Sequence, residues 1–161
     1  NPIIRGRSKA FDVFTDGLTE VCTRMAKALV MDGEGATKFI EIKVSGASSV
    51  EDAERVGFAI ANSPLVKTAF FGNDPNWGRI ICAAGYSGIP VDESLITITI
   101  NGELLFDTGR ALPIDEKKMR KKLSPREVTV EVGLGMGHAE AVIYTTDMSH
   151  DYININAEYT T

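Results

Sequence analysis

The first stretch of the sequence with residue types suited to chemistry is MDGEGATK, at residues 31–38. Glu34 stands between Gly33 and Gly35, and glycine lets the backbone bring a neighbouring carboxylate close to a partner because it has no Cβ. The alternative is a helix-ending loop with solvated acids, because exposed acids are the rule in folded proteins.

A second polar pattern lies near the end of the sequence, in NINAEYTT. Asn154 and Asn156 alternate with Ile153 and Ile155, which predicts a final strand over residues 152–158 with both amides on one face. The amides would then either form cross-strand hydrogen bonds or face a polar ligand. Alternation alone does not choose between these two interpretations.

Three other motifs are excluded as sites by their spacing. GEGATK lacks the adjacent Gly-Lys and the following Ser or Thr of a phosphate-binding loop. GLGMGH has His138 where a dinucleotide fingerprint needs its third glycine, so it predicts a glycine-rich hairpin loop between strands at 128–132 and 139–145. Ser149, His150 and Asp151 are adjacent, whereas the members of a catalytic triad converge from separate positions.

Composition excludes several classes of function. The chain has 161 residues, enough for one domain, and a net charge of −5, which argues against a nucleic-acid footprint. The basic cluster at residues 117–122 predicts the solvated face of a short helix that begins near Asp115. Cys22 and Cys82 are predicted to be buried free thiols, and no metal-ligand spacing occurs. No apolar run approaches the ~20 residues of a membrane span, and no signal peptide is visible. Together with the predicted free thiols, which suggest a reducing compartment, this leads us to expect a cytoplasmic protein.

The elements around these motifs indicate a layered α/β or α+β domain. An apolar stripe with helical periodicity predicts a helix over residues 10–31, ended by the glycines. TKFIEIKV predicts a strand, Ser48 and Glu51 suggest a capped helix to about Asn62, and Ser63-Pro64 would start another. A further short helix is predicted from about Trp77. LITITINGELLF is typical of a hairpin, with Asn-Gly as its two-residue turn.

Three motifs carry a resemblance to a known family: DGEGATK, NSPLVKTAFFGNDPNWGRI and TTDMSHDYININAEYTT, in this order and spacing. On these motifs the chain resembles ornithine acetyltransferase, the bifunctional glutamate N-acetyltransferase of arginine biosynthesis. The likeness covers essentially all of residues 1–161, as a single unit that corresponds to most of the family's β chain, the C-terminal product of self-cleavage.

The resemblance implies a fold and a mechanism. The fold would be layered, α-β-β-α-like, with mostly antiparallel and mixed strands, as in N-terminal-nucleophile hydrolases. In the family, self-cleavage frees a threonine that takes acetyl from N-acetylornithine as an acetyl-enzyme and passes it to glutamate. The oxyanion donors lie on the α chain, the enzyme contains two α and two β chains, and no bound cofactor is expected. Acetyl-CoA is a co-substrate of the bifunctional members.

The residues carried over from the family are substrate-binding ones. The family's glutamate in DGEGATK matches Glu34, its C-terminal asparagine matches Asn156, and its last threonine matches Thr161. Asn1 has neither hydroxyl nor thiol, so no catalytic residue is expected in this chain, and the family's threonine should lie upstream of Asn1. The chain alone is therefore expected to be inactive.

Two other functions remain open at this stage. The first is another N-terminal-nucleophile enzyme, such as an aminopeptidase, in which water would be the acceptor. The second is a non-catalytic module that binds a small molecule without a partner chain. An assay of acetyl transfer from N-acetylornithine to glutamate distinguishes the transferase from both.

Overall fold

The computed structural model describes residues 9–159, and these form six α-helices and six strands. In chain order the elements are α1 (Lys9–Met31), β1 (Phe39–Ala47), α2 (Val50–Ala61), α3 (Pro64–Phe71), α4 (Trp77–Gly85), a 3₁₀ turn (Glu93–Leu95), β2 (Thr97–Ile100), β3 (Glu103–Asp107), β4 (Arg110–Ala111), α5 (Glu116–Lys122), β5 (Glu127–Gly133), β6 (Ala139–Thr146) and α6 (His150–Glu158). No helix within these residues is both long and apolar enough to cross a bilayer.

The six strands form one sheet in the order β4-β3-β2-β5-β1-β6. Strands β1 and β5 pair in parallel, and the other neighbouring pairs are antiparallel. The predicted α/β class, with mixed and mostly antiparallel strands, is therefore confirmed. Strand β1 lies between β5 and β6, so the segment that follows the acidic glycine loop is held on both of its edges.

One face of the sheet forms the hydrophobic core. In β1, the residues Ile40, Ile42 and Val44 are buried, and the polar residues between them lie on the other face. Helix α2 packs over β1 and β6. A Cβ at Gly57 would lie only 2.6 Å from Cγ1 of Ile143, so the glycine allows α2 to approach the sheet closely.

The opposite face of the sheet is polar, and α1 lies over one end of it. Nζ of Lys27 is 3.0 Å from Oε2 of Glu41 in β1 and 5.0 Å from the ring centroid of Tyr144 in β6. Burial of Glu41 acts to raise its pKa, but the hydrogen bonds and charges of Lys27 and Lys43 outweigh this effect and hold the pKa below its ordinary value.

The predicted first helix is confirmed, but its apolar stripe does not enter the core. Six large side chains of the stripe are 51–75% exposed: Phe11, Phe14, Leu18, Val21, Met25 and Leu29. Cys22 on the same helix and Cys82 on α4 are free but exposed, so the prediction of buried thiols was wrong. Periodicity identified the helix because it reports spacing, and it does not report which neighbour covers the stripe.

Several shorter predictions are confirmed. The β2–β3 hairpin turns at Asn101 and Gly102, both of which have positive φ. Helices begin at Pro64, at Trp77 and after the N-cap Asp115. The cap of α2 is one residue later than predicted, because the hydroxyl of Ser49 accepts the hydrogen bond from Asp52 N.

The GLGMGH loop is not a hairpin, contrary to the prediction. Strands β5 and β6 are separated by β1, so the loop crosses the end of β1. The amides of Met136 and Gly137 both donate to the carbonyl of Gly46, at 2.7 and 2.8 Å. A Cβ at Gly137 would overlap the Ala47 carbonyl, so residue 137 has to be a glycine for the loop to pass this close to β1.

The predicted final strand is a helix, α6, so Asn154 and Asn156 do not share a strand face. The hydroxyl of Ser149 caps the helix by accepting a hydrogen bond from Tyr152 N at 3.1 Å, and Asp151 lies in the first turn. The alternation of isoleucine and asparagine is compatible with a strand or a helix, and the N-terminal cap at Ser149 favours the helix. None of the residues of α6 is buried.

We predict that Glu41→Gln removes the ion pair with Lys27 and weakens the attachment of α1 to the sheet by about 0.5–1 kcal/mol at neutral pH. This is the usual contribution of a partly exposed ion pair. The folded-state pKa of Glu41 is below its ordinary 4.5, so its contribution is present above that pH and is lost as pH falls through the lower folded value. The melting-temperature difference between the wild-type protein and the variant should therefore shrink below about pH 4.5.

The matched control is Glu131→Gln, which changes an exposed acid on the same face of the sheet. This variant should show no such pH-dependent difference. A constant difference between Glu41→Gln and the wild type from neutral to acidic pH would contradict the prediction.

Candidate functional site

Glu34 occupies the tip of a β-turn between α1 and β1. The amide of Ala36 donates to the Gly33 carbonyl at 3.0 Å, which makes Glu34 and Gly35 the two central residues. Gly35 has φ +66°, the left-handed conformation that the third position of a type II turn requires. The glycine thus determines the turn, and the turn places the Glu34 side chain in an exposed position.

The turn packs directly against the start of α6. A Cβ at Gly35 would lie 2.8 Å from Cα of Tyr152 and closer still to its amide nitrogen. The hydroxyl of the buried Ser149 donates to the Gly35 carbonyl and also accepts from Tyr152 N. One serine therefore caps the helix and fixes the tip of the turn to it.

Asp147 holds the end of the same loop, directly before β1. Its carboxylate is 2% exposed and accepts three hydrogen bonds: from Thr37 N at 2.9 Å, from Lys38 N at 2.9 Å and from the Thr37 hydroxyl. These donors satisfy carboxylate oxygens that burial would otherwise leave without hydrogen-bond partners. The segment after β6 therefore clamps the segment before β1.

Two lysines supply positive charge near Asp147. Nζ of the buried Lys38 donates to the carbonyls of Leu123 and Pro125, at 2.7 and 3.3 Å. Nζ of the half-buried Lys67 in α3 donates to the hydroxyls of Thr145 and Thr146, at 3.1 and 3.3 Å. Burial lowers the pKa of both lysines, and the Asp147 charge partly opposes that effect.

Of the three predicted substrate-binding residues, the structure describes two. The carboxylate of Glu34 makes no hydrogen bond or ion pair with any residue in 9–159. Asn156 lies on the exposed part of α6, and its Nδ2 donates to the Tyr152 carbonyl at 2.8 Å. The Glu34 turn and α6 are brought into contact, but through the first turn of the helix. Thr161 and Asn1 lie outside the described residues.

Sequence reasoning missed the residues that hold this site together. Asp147 is 110 residues from Thr37, and Ser149 is 114 residues from Gly35, so spacing carried no information about either pair. The available signal was the run TTDMS at residues 145–149, which overlaps the end of the strand predicted at 139–145. Within residues 9–159, no cluster of histidine, cysteine and acidic side chains is able to hold a metal ion.

The fold and the site define a mixed α/β chain with an acidic turn fixed to the start of its last helix. A family model described as "ArgJ family" matches residues 4–161. The chain belongs to the ArgJ family.

Curated relatives agree with this assignment. The chain is 46% identical over 151 residues to arginine biosynthesis bifunctional protein ArgJ of Staphylococcus aureus strain COL, covering 94% of this chain and 37% of the relative. It is 41% identical over 161 residues to the protein of the same name from Dehalococcoides mccartyi strain CBDB1, covering 100% and 40%. The chain thus spans about two fifths of the length of these relatives.

A solved structure agrees as well. The crystal structure of arginine biosynthesis bifunctional protein ArgJ from Bacillus halodurans matches with a TM-score of 0.92 and 36% sequence identity. The match covers 99% of this chain and 75% of the chain in that crystal. The resemblance in family and in fold class that the three motifs indicated is therefore confirmed.

We predict that Gly35→Ala destabilises the protein more than Gly88→Ala does. Both glycines have positive φ, +66° and +82°, so each substitution incurs a conformational cost of roughly 1–2 kcal/mol. Nothing lies within 4 Å of a Cβ at Gly88, whereas a Cβ at Gly35 meets the backbone of α6 and adds about 1–3 kcal/mol of overpacking. Denaturant unfolding measures the difference, and equal losses would show that the turn does not pack on α6.

Proposed function

We propose that this chain is the substrate-binding part of an enzyme that transfers acetyl from N-acetylornithine to glutamate in arginine biosynthesis. Membership of the ArgJ family supports this proposal, and so do relatives named arginine biosynthesis bifunctional proteins. The reaction proceeds through an acetyl-threonine intermediate. The threonine belongs to the part of the protein upstream of Asn1, and no catalytic nucleophile is assigned to residues 1–161.

The observation that carries the proposal is the geometry of the Glu34 turn. The backbone that directly follows Glu34 is fixed by two buried partners, Ser149 and Asp147, whereas the Glu34 carboxylate makes no polar contact with residues 9–159. A solvated loop acid does not need such support. A fixed carboxylate is suited to an ammonium group, either that of the substrate or the free amine of the catalytic threonine.

Asn156 and Thr161 are proposed to bind the other polar groups of the substrate. The amide of Asn156 uses one N–H on the Tyr152 carbonyl, so its oxygen and its second N–H remain for a ligand. These groups and the Thr161 hydroxyl suit a carboxylate or an amide. N-acetylornithine contains both, together with a side-chain ammonium.

The remainder of the enzyme is proposed to cover the exposed helices. Helices α1 and α6 have no buried residues, and the apolar stripe of α1 is more than half exposed throughout. A contiguous apolar surface of this kind marks an interaction site. Because the chain spans about two fifths of its curated relatives, we assign this surface to the α chain and the remaining β segment of a heterotetramer with two α and two β chains.

The acceptor is the feature that distinguishes this enzyme from related hydrolases. Purified full enzyme, incubated with N-acetylornithine, should release ornithine much faster when glutamate is present and should form N-acetylglutamate in equal amount. Ornithine and acetate released at a rate independent of glutamate would indicate a hydrolase and would overturn the proposal. Acetyl-CoA in place of N-acetylornithine tests whether the enzyme is bifunctional.

We predict that Glu34→Gln in the full enzyme lowers kcat/KM for N-acetylornithine about ten- to a hundredfold. The substitution keeps the shape of the side chain but removes a charge-assisted bond of roughly 1.5–3 kcal/mol. The melting temperature should remain within about 2 °C of the wild type, because the carboxylate is exposed.

Asp32→Asn is the matched control, since Asp32 is an exposed acid two positions away in the same loop. It should change kcat/KM by less than about twofold. Equal effects of the two substitutions would mean that general loop charge, and not Glu34, is responsible.

A further inference from the structure

We propose that Asp147 is a positioning residue that sets the location of the Glu34 carboxylate in the substrate site. This inference rests on the proposed function, because it assigns the task of Asp147 through Glu34. Asp147 itself is buried and has no role at the reacting atoms. Its task is to fix the loop that carries Glu34 against the end of β6.

The first step of the argument is the short path between the clamp and the turn. Asp147 accepts from Thr37 and Lys38, and Ser149 donates to the Gly35 carbonyl. Only Ala36 separates Gly35 from Thr37 along the chain. A displacement at Thr37 is therefore transmitted to the turn, because one residue of backbone cannot absorb it without a change in φ and ψ.

The second step is that Asp147 is itself firmly held. The end of β6, directly before Asp147, is hydrogen-bonded to α3, because Nζ of Lys67 donates to the hydroxyls of Thr145 and Thr146. It is also bonded to α2, because the Thr145 hydroxyl donates to the Ala61 carbonyl at 3.1 Å. The amide of Met148 donates to the Lys67 carbonyl at 3.4 Å. The clamp thus connects the Glu34 loop to the packed helical layer and not to a free chain end.

The third step concerns charge. The carboxylate is 2% exposed, and the nearby cations of Lys38 and Lys67 are themselves partly or fully removed from water. Hydrogen bonds from backbone amides to a carboxylate are stronger than those to a neutral carbonyl oxygen. An isosteric amide at residue 147 would keep the shape but weaken the clamp, and the loop would sample positions in which Glu34 is misplaced.

The test is a double-mutant cycle in the full enzyme, with kcat/KM for N-acetylornithine as the readout. Four proteins are compared: wild type, Asp147→Asn, Glu34→Gln and the double variant. We expect Asp147→Asn to lower kcat/KM about five- to twentyfold in the wild-type background and less than about twofold in the Glu34→Gln background. A residue that acts through Glu34 has little left to affect when the Glu34 charge is absent.

The outcomes separate this inference from the function on which it rests. If Glu34→Gln has its expected effect and Asp147→Asn lowers kcat/KM equally in both backgrounds, Asp147 is only structural and the positioning role is overturned. If Glu34→Gln has no effect, the substrate-binding role of Glu34 fails and the inference fails with it. A smaller effect in the Glu34→Gln background, with an equal loss of melting temperature in both backgrounds, supports it.

A milder variant keeps the test valid if Asp147→Asn does not fold. Thr37→Val removes one of the three hydrogen bonds to Asp147 at an exposed residue and keeps the shape of the side chain. It should lower kcat/KM about two- to fivefold in the wild-type background only. Equal effects in both backgrounds would again overturn the positioning role.

Asp92→Asn is the control for the chemistry of the clamp. Asp92 also accepts from a backbone amide and a hydroxyl, both of Ser94, at 2.9 and 2.7 Å. It precedes β2, whose first residue Thr97 pairs with Gly133 at the far end of β5 from the Glu34 loop. This variant should leave kcat/KM within about twofold of the parent in either background.

Discussion

A carboxylate removed from water must be surrounded by donors, and this requirement at Asp147 organises the site. The donors come from Thr37 and Lys38, directly before β1, while Asp147 directly follows β6. Because β1 and β6 are antiparallel neighbours, the start of β1 and the end of β6 meet at the same end of the sheet. The buried carboxylate of Asp147 therefore fixes the β1–β6 register at this end, and it also fixes the Glu34 loop that precedes β1.

The hydrogen-bond network extends from this end of the sheet to β5, the other neighbour of β1. Lys38 lies between the Asp147 clamp and β1, and its ammonium group bonds the carbonyls of Leu123 and Pro125, just before β5. The parallel β1–β5 pair and the antiparallel β1–β6 pair are thus joined at one end by side chains as well as by backbone ladders. The turn that contains Glu34 lies at this end, so its position is fixed by contacts with the packed core and not by its own few residues.

What the sequence could and could not predict follows from the range of the interactions. Alternation predicted β1 and the β2–β3 hairpin because side-chain period and an Asn-Gly turn are local properties. The neighbours of β5 and β6 are not local, so the GLGMGH loop was predicted as a hairpin although β1 intervenes. Glu34 was predicted as a substrate-binding residue from the family resemblance, since the flanking glycines alone left a solvated loop acid as an alternative. Its supports, Asp147 and Ser149, were missed because more than a hundred residues separate them from their partners.

The two exposed helices bear on how the candidate site is completed. Helices α1 and α6 have no buried residues, and both expose large apolar side chains. The Glu34 turn lies between α1 and β1, and Asn156 lies on α6, so the candidate site borders two helices without buried residues. A polypeptide that covered these helices would also exclude water from the turn, which strengthens any ion pair made there. In the proposed enzyme, completion of the substrate site and burial of the two helices are therefore one event.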